Sequence, residues 1–243
     1  MAYQLSIDIG NSRTKFGLFE ERELLQQKTL ANQDLEANHK LFDEYDLSAI
    51  IVSSVNKEAE EKLNLAKKAA FLLYLNHLTP LPFSIRYQSP ETLGKDRIAA
   101  IAGAQTIYPK QNVLVLDVGT CVTYDFIDHA GDYFGGAISP GVQMRLKAMH
   151  HYTNQLPLLA WDQTKPDLLG KTTVSSMLSG AVNGMVSEMK GFIEEYNRAH
   201  EKLQLIITGG DAKLFEKELK NGIFADPNLV LKGLNEILIY NCE

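Results

Sequence analysis

One short phrase occurs twice in this chain. Near the start it reads Ile7-Asp8-Ile9-Gly10-Asn11, and near the middle Leu116-Asp117-Val118-Gly119-Thr120. In each copy an apolar run delivers one aspartate, and a glycine then turns the chain into a second strand-like run, 14–19 in the first copy and 122–127 in the second. A single Asp-x-Gly is a common hairpin opening. Two copies in equivalent strand-turn-strand settings predict a duplicated fold with a nucleotide held between its halves. The chemistry suits a metal-phosphate group: N–H groups and hydroxyls of a tight turn donate to phosphate oxygens, and the carboxylate holds Mg²⁺ directly or through water.

The pattern around each phrase repeats as well. Strand-like runs at 4–9, 14–20 and 24–30 are followed by a helical pattern at 34–45. A nearly continuous apolar run at 49–53 marks a strand buried on both faces. A charged helix at 57–69, a buried strand at 71–75, an irregular proline-containing segment at 78–90 and an alanine-rich helix at 96–107 complete the first half. The second half runs through strands at 112–117, 121–128 and 133–139, then a helix at 142–150. A long helix or broken pair follows at 172–199, then a strand at 203–208 and helices at 211–219 and 229–240. With no Gly/Ser linker, the join is expected at 108–111, giving lobes 1–110 and 111–243. The fold class is α/β: two similar lobes, each a mixed sheet flanked by helices. Ligands in such folds bind at strand ends.

Composition narrows the function classes. The 243 residues are 45% hydrophobic, enough to bury a sizeable core. The net charge of -6 and the absence of a basic run argue against a nucleic-acid surface. Cys121 and Cys242 lie too far apart for a zinc motif or a disulfide framework. No run reaches the ~18 apolar residues of a membrane span. The start, Met1-Ala2-Tyr3-Gln4, lacks the regions of a signal peptide. A cytoplasmic protein is expected.

Several motifs carry chemistry. Asp8 through Lys15 offers a carboxylate, short polar side chains and two cations, the make-up of a phosphate loop; its bland alternative is a polar hairpin. Gly94-Lys95-Asp96-Arg97 opens a helix. Aspartate there is an ordinary helix-start residue; the functional alternative is a base beside an arginine able to clamp a carboxylate. Residues 131–141 are dense in glycine, which demands special backbone angles or close approach. Thr208-Gly209-Gly210 ends a strand and lets a flat ring or phosphate lie on the backbone. Gly180 and Gly184 share a helix face, for which packing against a neighbouring helix is the plain explanation. Leu169-Gly170-Lys171-Thr172 imitates the end of a Walker A loop, but the required glycine is Lys165 and no strand precedes it. His150-His151 reads as exposed or structural.

Together these elements resemble the type III pantothenate kinases, within the acetate and sugar kinase, heat-shock chaperone and actin superfamily. The matching pieces are Asp8-x-Gly10-Asn11, Gly94-x-Asp96-Arg97, Asp117-x-Gly119-Thr120-x-x-Thr123, Gly135-Gly136-x-Ile138-x-Pro140-Gly141, Thr173 with Gly180, and Thr208-Gly209-Gly210. They span nearly the whole chain in family order. Cys121 and Val122 depart from the family's small residue and threonine, which removes one hydroxyl near the phosphates.

The resemblance implies two actin-like lobes of ribonuclease-H-like fold and ATP-dependent phosphorylation of pantothenate at the first step of coenzyme A synthesis. Asp8 would hold Mg²⁺ on ATP, with Gly10, Asn11, Ser12, Thr14 and Lys15 around the β and γ phosphates and Thr120 donating from the other lobe. Asp117 would bind a monovalent cation, K⁺ or NH₄⁺. Asp96 would take the substrate hydroxyl proton. Arg97, with Tyr87, Gly94, Lys95 and Thr173, would contact pantothenate, and Gly209 and Gly210 would lie near the adenine. The family also implies a homodimer. The alternatives are another small-molecule kinase of the superfamily, against which the short chain speaks, and a non-catalytic nucleotide-binding regulator, which needs no base.

Overall fold

The computed structural model describes residues 3–38, 40–65, 68–219 and 222–242. Its backbone falls into two compact units. One comprises Met1–Pro109, Gly131–Tyr133 and Asn228–Glu243, the other Lys110–Ala130 and Phe134–Pro227.

In the first unit, β1 (Tyr3–Ile9), β2 (Arg13–Glu20), β3 (Glu23–Ala31), β4 (Leu47–Ser54) and β5 (Phe71–Tyr74) form a sheet in the order β3-β2-β1-β4-β5. β1 runs antiparallel to β2 and parallel to β4. The second unit uses β7 (Val113–Val118), β8 (Cys121–Ile127), β9 (Asp132–Pro140), β10 (Gln204–Thr208) and β11 (Ile223–Ala225) in the order β11-β10-β7-β8-β9. Counted from the first strand of each half, the two orders are the same. β7 is antiparallel to β8 and parallel to β10, as β1 is to β2 and β4. This is the duplicated α/β architecture that the paired phrases predict. One addition is β6 (Ser84–Ile85), inside the segment expected to be irregular; it pairs with the first residues of β9.

The central strands explain where the aspartates stand. Leu5, Ile7 and Ile9 of β1 and Val113, Leu114, Val115, Leu116 and Val118 of β7 are almost wholly buried. A carboxylate is tolerated only where such a strand runs out toward the surface, and Asp8 and Asp117 occupy those half-buried ends.

The helices are α1 (Lys57–Glu61), α2 (Lys95–Ile107), α3 (Val142–His151), α4 (Thr173–Ala199), α5 (Ala212–Leu219) and α6 (Leu229–Cys242). Two expectations change. Residues 34–45 form no α-helix. Short turns close through Asn38 N–H to Leu35 O, Leu41 N–H to Asn38 O and Tyr45 N–H to Phe42 O, which carry Leu35 and Phe42 into the core. The helix expected at 57–69 stops at Glu61. Asn64 adopts φ 45°, and Leu63 and Leu65 turn inward. His39, Ala66 and Lys67, within those two segments, lie outside the described residues. The segment 172–199, open between one helix and two, is one unbroken helix.

The closing helix α6 packs in the first compact unit, not with residues 111–227 as its sequence position suggests. It seats on β1 and β4 and against α2. α2 is buried all round from Arg97 through Ala104, so its middle is core while both ends reach the surface. The two helices cross with their backbones touching. A Cβ on Gly233 would overlap the carbonyl oxygen of Ala99, and one on Gly103 would meet the carbonyl of Leu229. Gly233→Ala is therefore expected to force the crossing apart and destabilise the protein by about 1–3 kcal/mol, the usual cost of overpacking. Urea unfolding reads this as a lowered midpoint at unchanged slope; an unchanged midpoint would mean the helices slide freely.

Candidate active site

In the first unit the antiparallel register sets Lys15 of β2 beside Asp8, and the parallel register sets Ser53 of β4 on its other side. The Ser53 hydroxyl donates to Asp8 Oδ1 at 3.2 Å. Gly10, Asn11 and Ser12 form the turn between β1 and β2, closed by Gly10 N–H to Arg13 O at 3.0 Å. Asn11 and Ser12 are exposed and Lys15 is half-buried. Thr14 differs from expectation. It is fully buried, and its hydroxyl donates to Asn32 Oδ1 at 2.9 Å, so this side chain supports the loop and does not line it.

Helix α2 starts next to this loop. Lys95 Nζ donates to the Ser54 carbonyl at 3.0 Å, which ties the helix start to the end of β4. Asp96 is exposed, and its Oδ1 accepts the Arg97 N–H at 2.9 Å. The Arg97 side chain is buried, with its guanidinium carbon 5.8 Å from the centre of the Tyr87 ring, a cation–π stack. Gly94 precedes the helix, where a Cβ would crowd Asp96 Oδ1. Tyr87, Gly94, Lys95, Asp96 and Arg97 are thus gathered at one helix start.

Asp8 has a shifted proton affinity. Burial, and then the negative charge of Asp96, push its carboxyl up to about 6; Lys15 and the Ser53 hydrogen bond only partly oppose this. Two carboxylates that feel each other across one lysine form a site short of positive charge, and a divalent cation with phosphate oxygens supplies that charge. The donor set fits Mg²⁺, which prefers one or two carboxylates plus phosphates and water.

The second unit repeats the strand-end geometry with glycine packing around it. Asp117 ends β7, opposite Thr123 of β8 and Thr208 of β10. Gly141 N–H donates to Thr120 O at 3.0 Å, and a Cβ on Gly141 would overlap the Gly119 carbonyl. On the other flank Gly209 takes φ 98°, where a Cβ would overlap the Val118 carbonyl and lie 2.5 Å from Asp117 Oδ1. Gly119 and Thr120 are therefore gripped by two glycine segments, with Thr120 left exposed. Val122 is wholly buried core, and Thr123 donates its hydroxyl to Asp125 at 2.8 Å. Gly210 opens onto a cavity of about 220 Å³ lined by Trp161, Gln163, Asp211, Lys213, Leu214 and Lys217. Burial raises the Asp211 carboxyl above its ordinary range, against a hydrogen bond from Gln163.

Sequence reasoning missed the polar cluster behind this turn. Arg145 Nη2 pairs with Glu188 at 2.6 Å and bonds Ser139 Oγ, its Nε donates to the Pro140 carbonyl at 2.7 Å, and the Tyr124 hydroxyl donates to Glu188 at 3.0 Å. Burial alone would raise the Glu188 carboxyl, but the bonds from Arg145, Ser139 and Tyr124 and the arginine charge hold it below the usual range. Burial, then the Glu188 charge, push the Tyr124 phenol upward. The partners come from β8, β9, α3 and α4, so no local spacing announces them.

Further along, Thr172 caps α4 by accepting the Ser175 N–H at 3.1 Å, within a reciprocal capping box. Thr172 and Thr173, the latter the first helical residue, both line an open groove with Met149, Leu156 and Met177. The imitation Walker segment leads straight into this cap, with no strand before it. His150 and His151 close α3, His150 Nδ1 lying 2.7 Å from the Leu156 carbonyl. Among the described residues a Cβ on Gly180, Gly184 or Gly191 would meet nothing within 4 Å, so neither Gly180 nor Gly184 is the point of close helix contact expected of the pair.

Comparison with known proteins accounts for this arrangement. A family model described as type III pantothenate kinase matches residues 4–195. The type III pantothenate kinase of Christiangramia forsetii is 43% identical over 239 residues, 98% of both chains. That of Bacteroides fragilis is 42% identical over 238 residues, again 98% of both. Among solved structures, a Campylobacter jejuni protein described as a Baf family transcriptional activator aligns over 98% of both chains at 25% identity with a TM-score of 0.65. A glucokinase of the ROK family from Streptomyces griseus aligns over 98% of this chain and 100% of its own, at 11% identity and a TM-score of 0.56, which speaks for the shared kinase fold alone. The chain belongs to the type III pantothenate kinase family, whose activity is the ATP-dependent phosphorylation of pantothenate to 4'-phosphopantothenate at the first step of coenzyme A biosynthesis.

Proposed function

We propose that Asp8, Asp96, Arg97, Asp117 and Thr120 are the working residues of this pantothenate kinase. The observation that carries the reading is the coupling of Asp8 to Asp96, one half-buried at a strand end and the other exposed at a helix start. Asp96 Oδ1 is held by the Arg97 amide, and among the described residues Oδ2 has no hydrogen-bond partner. Asp96 accepts the proton of the primary hydroxyl as that oxygen bonds to the γ-phosphorus and the bond to the ADP oxygen breaks. Arg97, stacked on Tyr87, orients the pantothenate carboxylate, with Gly94, Lys95 and Thr173 as further contacts. Asp8 holds Mg²⁺; when bound, the ion offsets charge on the phosphate oxygens. Gly10, Asn11, Ser12 and Lys15 hold the β and γ phosphates, and Thr120 donates a further hydroxyl. Asp117 binds K⁺ or NH₄⁺, and Gly209 and Gly210 lie along the adenine. The lobe division 1–110 and 111–243 belongs to this proposal, amended by the closing helix, which packs in the first compact unit.

A homodimer is part of the same proposal. It is supported by Gly180, Gly184 and Gly191 on α4, where among the described residues an added Cβ would meet nothing within 4 Å. Among the described residues no helix is long and apolar enough to cross a membrane, which is compatible with work in the cytoplasm without membrane or nucleic-acid partners.

Given ATP, Mg²⁺ and K⁺, the protein is expected to phosphorylate pantothenate out of a panel of small alcohols. Asp96→Asn should cut kcat by ~10²–10⁴-fold, the usual cost of losing a general base. Binding of Mg²⁺-ADP, followed by calorimetry, should survive at pH 8. It should weaken in the wild type as pH falls through about 6, where Asp8 takes up its proton. The same protonation stabilises the cation-free fold at low pH, a contribution lost as pH rises through about 6. In Asp96→Asn the acid midpoint of binding should drop, because the like charge is gone. Turnover within threefold of wild type would make Asp96 a helix-start residue only and not the base.

Activity is expected to be much higher in K⁺ or NH₄⁺ than in Na⁺ at matched ionic strength. Equal rates would remove Asp117 from the cation site. Sedimentation at micromolar concentration should show a dimer; a single active species near 27.1 kDa would rule it out.

A further inference from the structure

Besides its own closing bond and a 3.4 Å contact from Asn56 Nδ2 to the Asn11 carbonyl, the loop after β1 is held by one residue that no motif announces. Asn32, directly after β3, makes four bonds to it. Its Nδ2 donates to the Gly10 carbonyl at 2.9 Å and to the Asn11 carbonyl at 3.2 Å. Its own N–H donates to the Ser12 carbonyl at 3.0 Å. Its Oδ1 accepts the Thr14 hydroxyl at 2.9 Å, and Thr14 has no solvent exposure. Three successive carbonyls thus point at one asparagine. No peptide bond here is cis, and in a planar trans peptide the N–H lies opposite the C=O. The N–H groups of Asn11, Ser12 and Arg13 are consequently turned to the side away from Asn32. A run of neighbouring N–H groups on one side of a turn is an anion-binding concavity.

We propose that Asn32 is a positioning residue that pre-shapes this loop for phosphate, with the buried Thr14 hydroxyl fixing which way its amide faces. The inference rests on the reading of the loop as the ATP phosphate site. The amide orientation is decisive. Oδ1 must face Thr14, so Nδ2 faces the carbonyls, and a carboxylate in the same place would repel them.

The test is a split in KM. Asn32→Asp keeps the size and the acceptor for Thr14 but loses both side-chain donors. It should raise KM for ATP about tenfold, the scale of one or two neutral hydrogen bonds, while KM for pantothenate stays within twofold. Thr14→Val should raise KM for ATP in the same sense, and Thr14→Ser, which keeps the hydroxyl, should restore it. This pair decides the matter if Asn32→Asp does not fold. Lys15→Ala reports on the loop itself. If it raises KM for ATP while the Asn32 and Thr14 variants leave KM unchanged, the loop binds phosphate and the role of Asn32 falls. If none of them changes it, the loop reading falls too. Equal rises in both KM values would make Asn32 a general support of the fold and overturn the proposal.

Discussion

The crossing of α2 and α6 governs the geometry of the first half of this enzyme. Gly103 and Gly233 let the helices meet backbone to backbone, with Ala99 between them. α6 in turn seats on β1 and β4. The strand that presents Asp8 and the helix that presents Asp96 and Arg97 are therefore registered through a contact with no flexible side chain to absorb error. Lys95, anchored on the Ser54 carbonyl, fastens the helix start to the strand beside β1. The crossing is close-packed, and a displacement of one helix would move the Asp96 carboxylate with it.

That rigidity carries an electrostatic cost. Asp8 is crowded by burial and by Asp96, and its carboxyl holds a proton to about pH 6. Ser53 and Lys15 relieve only part of this. In an apo protein such a pair is unfavourable, and strain of this kind concentrates where a ligand will relieve it. The second half manages its strand end differently. There the control is steric, through Gly141 and Gly209 pressed on the turn, backed by the Arg145–Glu188–Tyr124 cluster. The two halves share a strand order while their turns are supported by unrelated means, Asn32 in one and close-packed glycines with a half-buried ion pair in the other.

Glycines show how far local sequence can be read. Gly180 and Gly184 carry the familiar four-residue spacing, yet among the described residues a Cβ on either would meet nothing within 4 Å. Gly103 and Gly233 lie 130 residues apart and let α2 and α6 meet backbone to backbone in the first unit. Spacing reports which residues share a helix face. It does not report what that face meets, because the partner arrives by the fold.

The chain by itself determined the duplicated sheet, the two strand-end aspartates, the helix-start group from Gly94 to Arg97 and the family. Each of these depends on neighbours within a few residues, where apolar periodicity and glycine turns act directly. It also misled at 34–45, where good helix formers are bent into tight turns so that Leu35 and Phe42 can be buried. Tertiary structure alone decided that Thr14 faces Asn32 and not a ligand, and that the last helix returns to the first unit. In every such case the deciding partner is remote in sequence, so the competition between hydrogen bonding, burial and exposure is settled only once the chain has packed.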